Sequence, residues 1–224
     1  MSTSTPYVRI RANEYTPIFK AGSDDIVLTV EFKNLNQNRV KFQANLVDQK
    51  GVHLGLPISA EIPENKSYKK FNVLVKAGTS LMVSTTQPGF AVRAYKPALY
   101  SKPGQLHVGN SETVETVLNL DADGVHTVTI VGKPQGVTVS PMSAEIQQGM
   151  PITFGVTRDA DSRVVGPVFF KIESLGIGTA IDILVEAPPP DDGESGGSGD
   201  GDPDISADLV SAYIFGRDVV APAN

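Results

Sequence analysis

Apolar and polar residues alternate along most of the first 187 positions, and this period of two indicates β-strands with one buried face. Leu28, Val30 and Phe32 fall on one side of such a segment, while Thr29 and Glu31 fall on the other. Clusters of Asn, Asp, Gly and Pro separate the segments, as turns between strands require. This region lacks the period of an amphipathic helix. The pattern predicts strands at residues 8–11, 26–32, 40–46, 71–75, 81–85, 90–95, 114–120, 125–131, 137–139, 152–156, 168–172 and 181–185.

The alternation is interrupted at residues 96–104, where Pro97 and Pro103 flank a short Tyr and Ser stretch. Short strands that recur every 8–12 residues or so, with turns between them, are typical of a β-sandwich or barrel. We therefore predict an all-β protein with two consecutive small β-sandwich domains. The first would span residues 1–100 and the second residues 101–187.

The composition changes at Pro188, which begins a run of three prolines followed by Asp, Gly, Ser and Glu. Such a segment buries too little apolar surface to offset its ordering entropy. We predict a flexible acidic linker at residues 188–204, with a short stiff polyproline start.

Residues 205–224 are apolar again, which is unusual for the end of a solvated tail. As a helix, this peptide would begin at Asp204 and end at Gly216. As a strand, alternate residues would share a face. The helix is slightly favoured, and the strand alternative stays open. The peptide could fold back on its own sandwich, but a long tether favours docking on a neighbouring subunit or another protein. The predicted partner-binding residues are Ile205, Leu209, Val210, Tyr213, Ile214 and Phe215.

The net charge of −6 hides an uneven distribution. Residues 1–100 carry 13 Lys+Arg and 7 Asp+Glu, residues 101–187 carry 5 and 10, and residues 188–224 carry 1 and 8. Complementary ends favour head-to-tail contacts between copies, so we expect a homo-oligomer. The alternative is that the lysines solvate exposed strand edges. The basic residues are spread along the chain rather than clustered, so we expect no nucleic-acid binding.

Candidate chemistry is sparse. The chain has no Cys, no Trp and three His, which excludes disulfides, thiol nucleophiles and Cys-ligated metals. Two Asp-x-Asp pairs, Asp121/Asp123 and Asp159/Asp161, lack the remaining ligands of a calcium loop and are better explained as turns. We expect no enzyme activity, no cofactor and no metal. The sequence contains neither a secretory signal pattern nor a membrane-spanning apolar run, so we expect no membrane association.

Two segments resemble known families. The strand 136–141, Gly-Val-Thr-Val-Ser-Pro, is followed by Gly149 and by Ile-Thr-Phe-Gly-Val-Thr at 152–157, and this order resembles bacterial immunoglobulin-like domains. Residues 76–83 and 89–95 look like strands of small β-sandwich modules in tailed-phage virions. The likeness implies immunoglobulin-like sandwiches that decorate, cement or bind surfaces and carry no chemistry.

These resemblances imply a non-enzymatic structural or accessory protein of a phage virion, as a head decoration, fibre or neck component. It would be synthesised in the host cytoplasm and located in the virion, with neighbouring virion proteins or copies of itself as partners. The alternative is a carbohydrate- or host-surface-binding adhesion module. The lack of Trp and of clustered tyrosines weighs against that alternative.

Overall fold

The computed structural model describes residues 6–159, 166–185 and 214–215. Within these ranges the regular structure is β-strand, apart from one 3₁₀ turn at Glu173–Leu175. The prediction of an all-β fold is confirmed. Among the described residues, no helix has the length and apolar composition that a membrane span requires.

The first eight strands form two antiparallel sheets around one apolar core. Leu28, Val30 and Phe32 are buried there, and the rings of Phe32 and Phe42 stack across the core with centroids 4.1 Å apart. The strand orders are β1-β8-β3-β6 and β2-β7-β4-β5. We call this part the N-terminal unit. Its strands are β1 (Val8–Ile10), β2 (Thr16–Lys20), β3 (Ile26–Asn34), β4 (Val40–Val47), β5 (His53–Ile62), β6 (Ser67–Val75), β7 (Ser80–Thr85) and β8 (Phe90–Tyr95).

The next nine strands form two further sheets around a second core, in which the ring centroids of Phe154 and Phe170 lie 5.0 Å apart. The strand orders are β10-β17-β16-β12-β14 and β13-β15-β11-β9. All pairs are antiparallel except β10 with β17. We call this part the C-terminal unit. Its strands are β9 (Leu99–Ser101), β10 (Gln105–Val108), β11 (Thr113–Leu120), β12 (Val125–Gly132), β13 (Val137–Ser140), β14 (Ser143–Gln147), β15 (Ile152–Arg158), β16 (Gly166–Ile172) and β17 (Ile177–Val185).

Every segment predicted as a strand overlaps one, but the prediction missed β2, β5, β9, β10 and β14. The interruption predicted at residues 96–104 is wrong in part, since β9 lies inside it and pairs with β11. Leu99 is buried in the second core, so packing outweighs the flanking prolines. Similarly, β5 continues past Gly55 and Pro57 because it pairs with β4 on both sides of them, at residues 53–54 and 58–62, and the register shifts in between.

One further strand, β18 (Ile214–Phe215), adds to β6 as the fifth strand of the first sheet. These two residues follow the strand alternative for the C-terminal peptide and not the helical one. The predicted linker at 188–204 lies outside the described residues, as do Ile205, Leu209, Val210 and Tyr213.

Candidate functional site

The candidate site is the outer edge of β6, by which we mean residues 67–72 on the side away from β3. On its inner side, β6 pairs with β3 from Ser67 to Val75. On its outer side it meets two different parts of the chain. The first two residues pair with β18, and the next few contact the C-terminal unit.

The backbone of Ser67 points outward from the N-terminal unit. The N–H of Asn34 in β3 donates to the carbonyl oxygen of Lys66 at 3.0 Å, so Lys66 faces β3. Because successive residues of a strand present their backbone groups to opposite sides, the N–H and C=O of Ser67 face away from β3. The residue opposite Ser67 on that side is Phe215, and Ile214 lies opposite Tyr68. A strand edge that would otherwise have unpaired polar groups is therefore paired with the C-terminal segment.

Tyr68 anchors this edge to the N-terminal core. Its side chain is 2% exposed, and its ring lies 5.8 Å from the rings of both Phe32 and Phe42. Burial raises the pKa of the Tyr68 phenol, and the negative charge of Asp182 raises it further. The start of β6 is therefore a firmly packed strand, and a partner strand can add to it with little rearrangement.

Asn72 joins the outer edge to the C-terminal unit. Its backbone is left-handed, with φ of 52°, and its side chain is buried. The Asn72 Nδ2 group donates to the carbonyl oxygen of Ala180 at 2.7 Å and to Thr179 Oγ1 at 3.1 Å. Its Oδ1 accepts from the N–H of Ser101 at 3.0 Å. One side chain thus satisfies polar groups of β9 and β17 that would otherwise be buried without partners.

The contact is close and partly ionic. A Cβ atom added to Gly104 would lie 2.5 Å from the Cβ of Asn72, so only glycine fits there without displacement. Lys70 on β6 forms an ion pair with Asp182 on β17, and both side chains are largely shielded from water. We call the contacts of Lys70 and Asn72 with β9 and β17 the seam. The seam covers the outer edge of β6 beyond Lys69, which leaves its first residues for β18.

A second polar cluster lies on β3 and β8. The Arg93 guanidinium donates to Glu31 Oε2 through Nε at 2.8 Å and contacts the same oxygen through Nη2 at 2.6 Å. It also lies 4.8 Å from the ring centroid of Tyr7 and 5.4 Å from that of Tyr95, within cation–π range. Burial and the nearby Glu31 carboxylate raise the pKa of Tyr7 to about 12 and also raise that of Tyr95. Burial lowers the pKa of Arg93, but the hydrogen bond and negative charge of Glu31 raise it more, so the net shift is upward.

This cluster borders an open cleft of ≈ 950 Å³ that both units line. The N-terminal side contributes Arg93 and Tyr95, and the C-terminal side contributes Asp121, Asp123 and Gln148. The lining mixes both signs of charge with apolar surface.

Asp121 and Asp123 lie in the connection between β11 and β12. Asp121 Oδ1 accepts a hydrogen bond from Gln148 Nε2 at 3.0 Å, and a ring nitrogen of His126 lies 2.8 Å from the carbonyl oxygen of Asp123. Asp161 lies outside the described residues. Within the part of the chain that the structure describes, no three His, Asp or Glu side chains are grouped as metal ligands.

Of the six predicted partner-binding residues, the structure describes Ile214 and Phe215 and places both against β6. Sequence reasoning missed the acceptor edge and Asn72. The sequence signal for Asn72 was a single Asn within a predicted apolar strand. Asn adopts the left-handed backbone conformation more readily than most residues, so it can mark an irregular position in a strand. No protein-family model matches the chain, and no curated protein matches it.

Proposed function

We propose that this chain is a non-enzymatic structural or accessory protein of a phage virion, serving as a head decoration, fibre or neck component. It consists of two immunoglobulin-like sandwich domains and attaches to neighbouring subunits through its C-terminal peptide and basic N-terminal domain. The observation that carries the proposal is the pairing of β18 with the outer edge of β6. Strand addition attaches chains through main-chain hydrogen bonds and needs no catalytic or metal chemistry.

The seam supports a role in which the two units act as one rigid body. Asn72 makes three hydrogen bonds across it, and the Lys70–Asp182 ion pair lies beside them. A protein that spans or decorates a surface must hold its domains in a fixed relation. Buried polar contacts of this kind fix a relative orientation, because any shift leaves polar groups without partners.

Charge supports the assignment of the C-terminal peptide as the attaching segment. Residues 188–224 carry eight Asp+Glu and one Arg, whereas Lys66 and Lys69 lie at the start of β6. Opposite charges on the two surfaces favour their encounter and disfavour tail-to-tail contacts. The virion assignment itself is supported by the resemblance of residues 76–95 and 136–157 to phage and bacterial sandwich domains.

Deleting residues 205–224 tests this proposal. We expect the truncated protein to lose self-association, or association with its virion partner, while its circular dichroism and thermal unfolding stay close to those of the full chain. The matched control ends at Phe215, which removes nine residues but keeps β18. Size-exclusion chromatography with light scattering at low and high salt measures the association, since charged contacts weaken with screening. Unchanged association of the chain that ends at Asp204 would refute the proposal.

The second candidate function is a carbohydrate- or host-surface-binding module, and the cleft between the units favours it. Tyr95, Gln148 and the carboxylates of Asp121 and Asp123 offer the stacking surface and hydrogen-bonding groups that sugar hydroxyls use. A glycan array probed with the full chain, and with Tyr95→Ala as the control, tests this candidate. Equal signals from the two proteins would exclude the cleft as the binding site.

A further inference from the structure

The outer edge of β6 has room for only a short added strand. Beyond Lys69, the seam occupies this edge, because Lys70 and Asn72 bind β17 and β9. Before Ser67 the chain turns at residues 64–65. The acceptor is therefore limited to the backbone of about three residues, and the two-residue strand β18 matches its length.

The chain that leads to β18 is much longer than pairing within one molecule requires. Val185 ends β17 three residues after Asp182, which contacts Lys70, and Lys70 is two residues from Tyr68. About ten extended residues would cover that path. The sequence supplies 28 residues between Val185 and Ile214, which span up to about 95 Å when extended. The segment can thus reach the β6 edge of an adjacent copy as easily as its own.

The backbone bonds and register are the same whether donor and acceptor belong to one chain or to two. Within one chain, a tether of this kind gives an effective concentration on the order of millimolar. Dilute copies therefore pair with themselves, which also protects the β6 edge from non-specific pairing. Where copies lie side by side, the neighbouring edge is present at a similar local concentration. Exchange then costs little free energy and joins the copies.

Charge favours a second copy as the occupant. The donor segment is acidic and follows an acidic C-terminal unit, whereas Lys66 and Lys69 lie at the acceptor edge, in a unit with 13 Lys+Arg and 7 Asp+Glu over residues 1–100. Each copy therefore presents one surface of each sign, so a head-to-tail arrangement brings donor and acceptor together.

From these observations we infer that the outer edge of β6, at residues 67–69, accepts strand β18 of a second copy of this chain, so that strand exchange joins copies head to tail or in pairs. The inference rests on the proposed attachment role and names its partner.

The experiment uses engineered cysteines, because the chain has none of its own. Glu64→Cys lies in the exposed turn before β6, and Arg217→Cys lies two residues beyond Phe215, so Ile214 and Phe215 stay intact. The two full-length single variants are mixed over a range of concentrations and treated with a short bismaleimide. We expect a covalent dimer of the two variants whose yield rises with concentration. Lys50→Cys, in an exposed turn of the other sheet, replaces Glu64→Cys in the matched control and should give at least fivefold less dimer.

A second pair of variants tests the acceptor edge itself. Ser67→Pro removes the outward-facing N–H without taking a hydrogen bond from β3, whereas Ser67→Ala keeps it. In the background that carries both cysteines, Ser67→Pro should abolish crosslinks within and between copies, and Ser67→Ala should leave both unchanged. Crosslinks within single chains alone, at every concentration, would overturn the exchange between copies. Crosslinks that persist with Ser67→Pro would overturn the acceptor edge.

These failures are distinguishable from a failure of the proposed function. If exchange is overturned but deletion of residues 205–224 still abolishes attachment, the peptide docks on a different partner. If that deletion changes nothing and crosslinks between copies are absent, both ideas fail together.

Discussion

Replacing Asn72 with alanine removes the side chain on which the seam depends most. The substitution deletes the donations to Ala180 and Thr179 and the acceptance from the Ser101 N–H. Ser101 is fully buried, and Ala180 is 6% exposed. Water therefore has little access to either group, and both would be left without their present partner. The left-handed φ of 52° also stays, and alanine tolerates it less well than asparagine.

The expected loss follows from these contacts. A buried donor or acceptor left without a partner costs about 1–3 kcal/mol. Alanine in the left-handed region adds about 1 kcal/mol. The costs of the lost hydrogen bonds and of the backbone strain are not fully additive, because they arise at one residue and the seam relaxes partly. We therefore expect Asn72→Ala to lower the free energy of unfolding by about 3 kcal/mol. Asn72→Gly loses the same hydrogen bonds without the backbone strain, so it should be less destabilised by about 1 kcal/mol.

Urea unfolding followed by circular dichroism measures both variants. The wild-type chain should unfold in one transition if the seam couples the units, and Asn72→Ala should shift that transition to a lower urea concentration. Thermal unfolding by calorimetry gives an independent check. A free energy of unfolding within about 0.5 kcal/mol of wild type for Asn72→Ala would refute the role of the seam, because substitutions without structural effect fall in that range.

Three further predictions concern other contacts. Gly104→Ala places a Cβ 2.5 Å from the Cβ of Asn72 and 2.6 Å from its backbone carbonyl oxygen, so it should lower the melting temperature; an unchanged melting temperature would contradict the clash. Arg93→Gln leaves the Glu31 carboxylate, whose side chain is 10% exposed, without its cation. The free energy of unfolding in urea should therefore fall by about 2 kcal/mol, and the double variant Arg93→Gln with Glu31→Gln should regain part of it. The raised pKa of Tyr68 means that the unfolded chain ionises first as the pH rises above the ordinary value of 10.0, so the free energy of unfolding should fall with pH there. Tyr68→Phe should make that fall shallower, and an unchanged slope would contradict the assignment.

The alternation of apolar and polar residues predicted those strands in which it is regular along the strand itself. In β3, Leu28, Val30 and Phe32 alternate with Thr29 and Glu31, and the three apolar side chains lie in the core as the pattern predicts. Thr29 and Glu31 are buried as well, so the expectation of a single buried face is wrong for this strand. By contrast, β5 contains Gly55 and Pro57, which local reasoning treats as turn residues. Its strand conformation comes from pairing with β4 on both sides of these two residues, from His53 opposite Val47 to Ile62 opposite Val40. Periodicity carries no information about such contacts.

The candidate site likewise has one part that the sequence predicted and another that depends on the whole fold. The apolar content of residues 205–224 predicted a docking segment, and its binding to another chain stays a prediction. In the single chain, Ile214 and Phe215 pair with β6 of the same chain, which is the fold-back alternative. The position of the acceptor depends on which strand is left at the edge of its sheet, and sheet order is a property of the whole fold. Asn72 is informative only once β9 and β17 are known to pack against β6.

The seam and the acceptor edge are parts of one strand, and this links stability to attachment. If the C-terminal unit did not cover Lys70 and Asn72, the outer edge of β6 would present all six residues from 67 to 72, long enough to pair with many unrelated strands. By covering all but the first few residues, the seam limits the edge to a partner as short as β18. A short pairing is weak by itself, so attachment depends on tethering and on complementary charge. These are the two features that the chain supplies in its long acidic segment and its basic N-terminal unit.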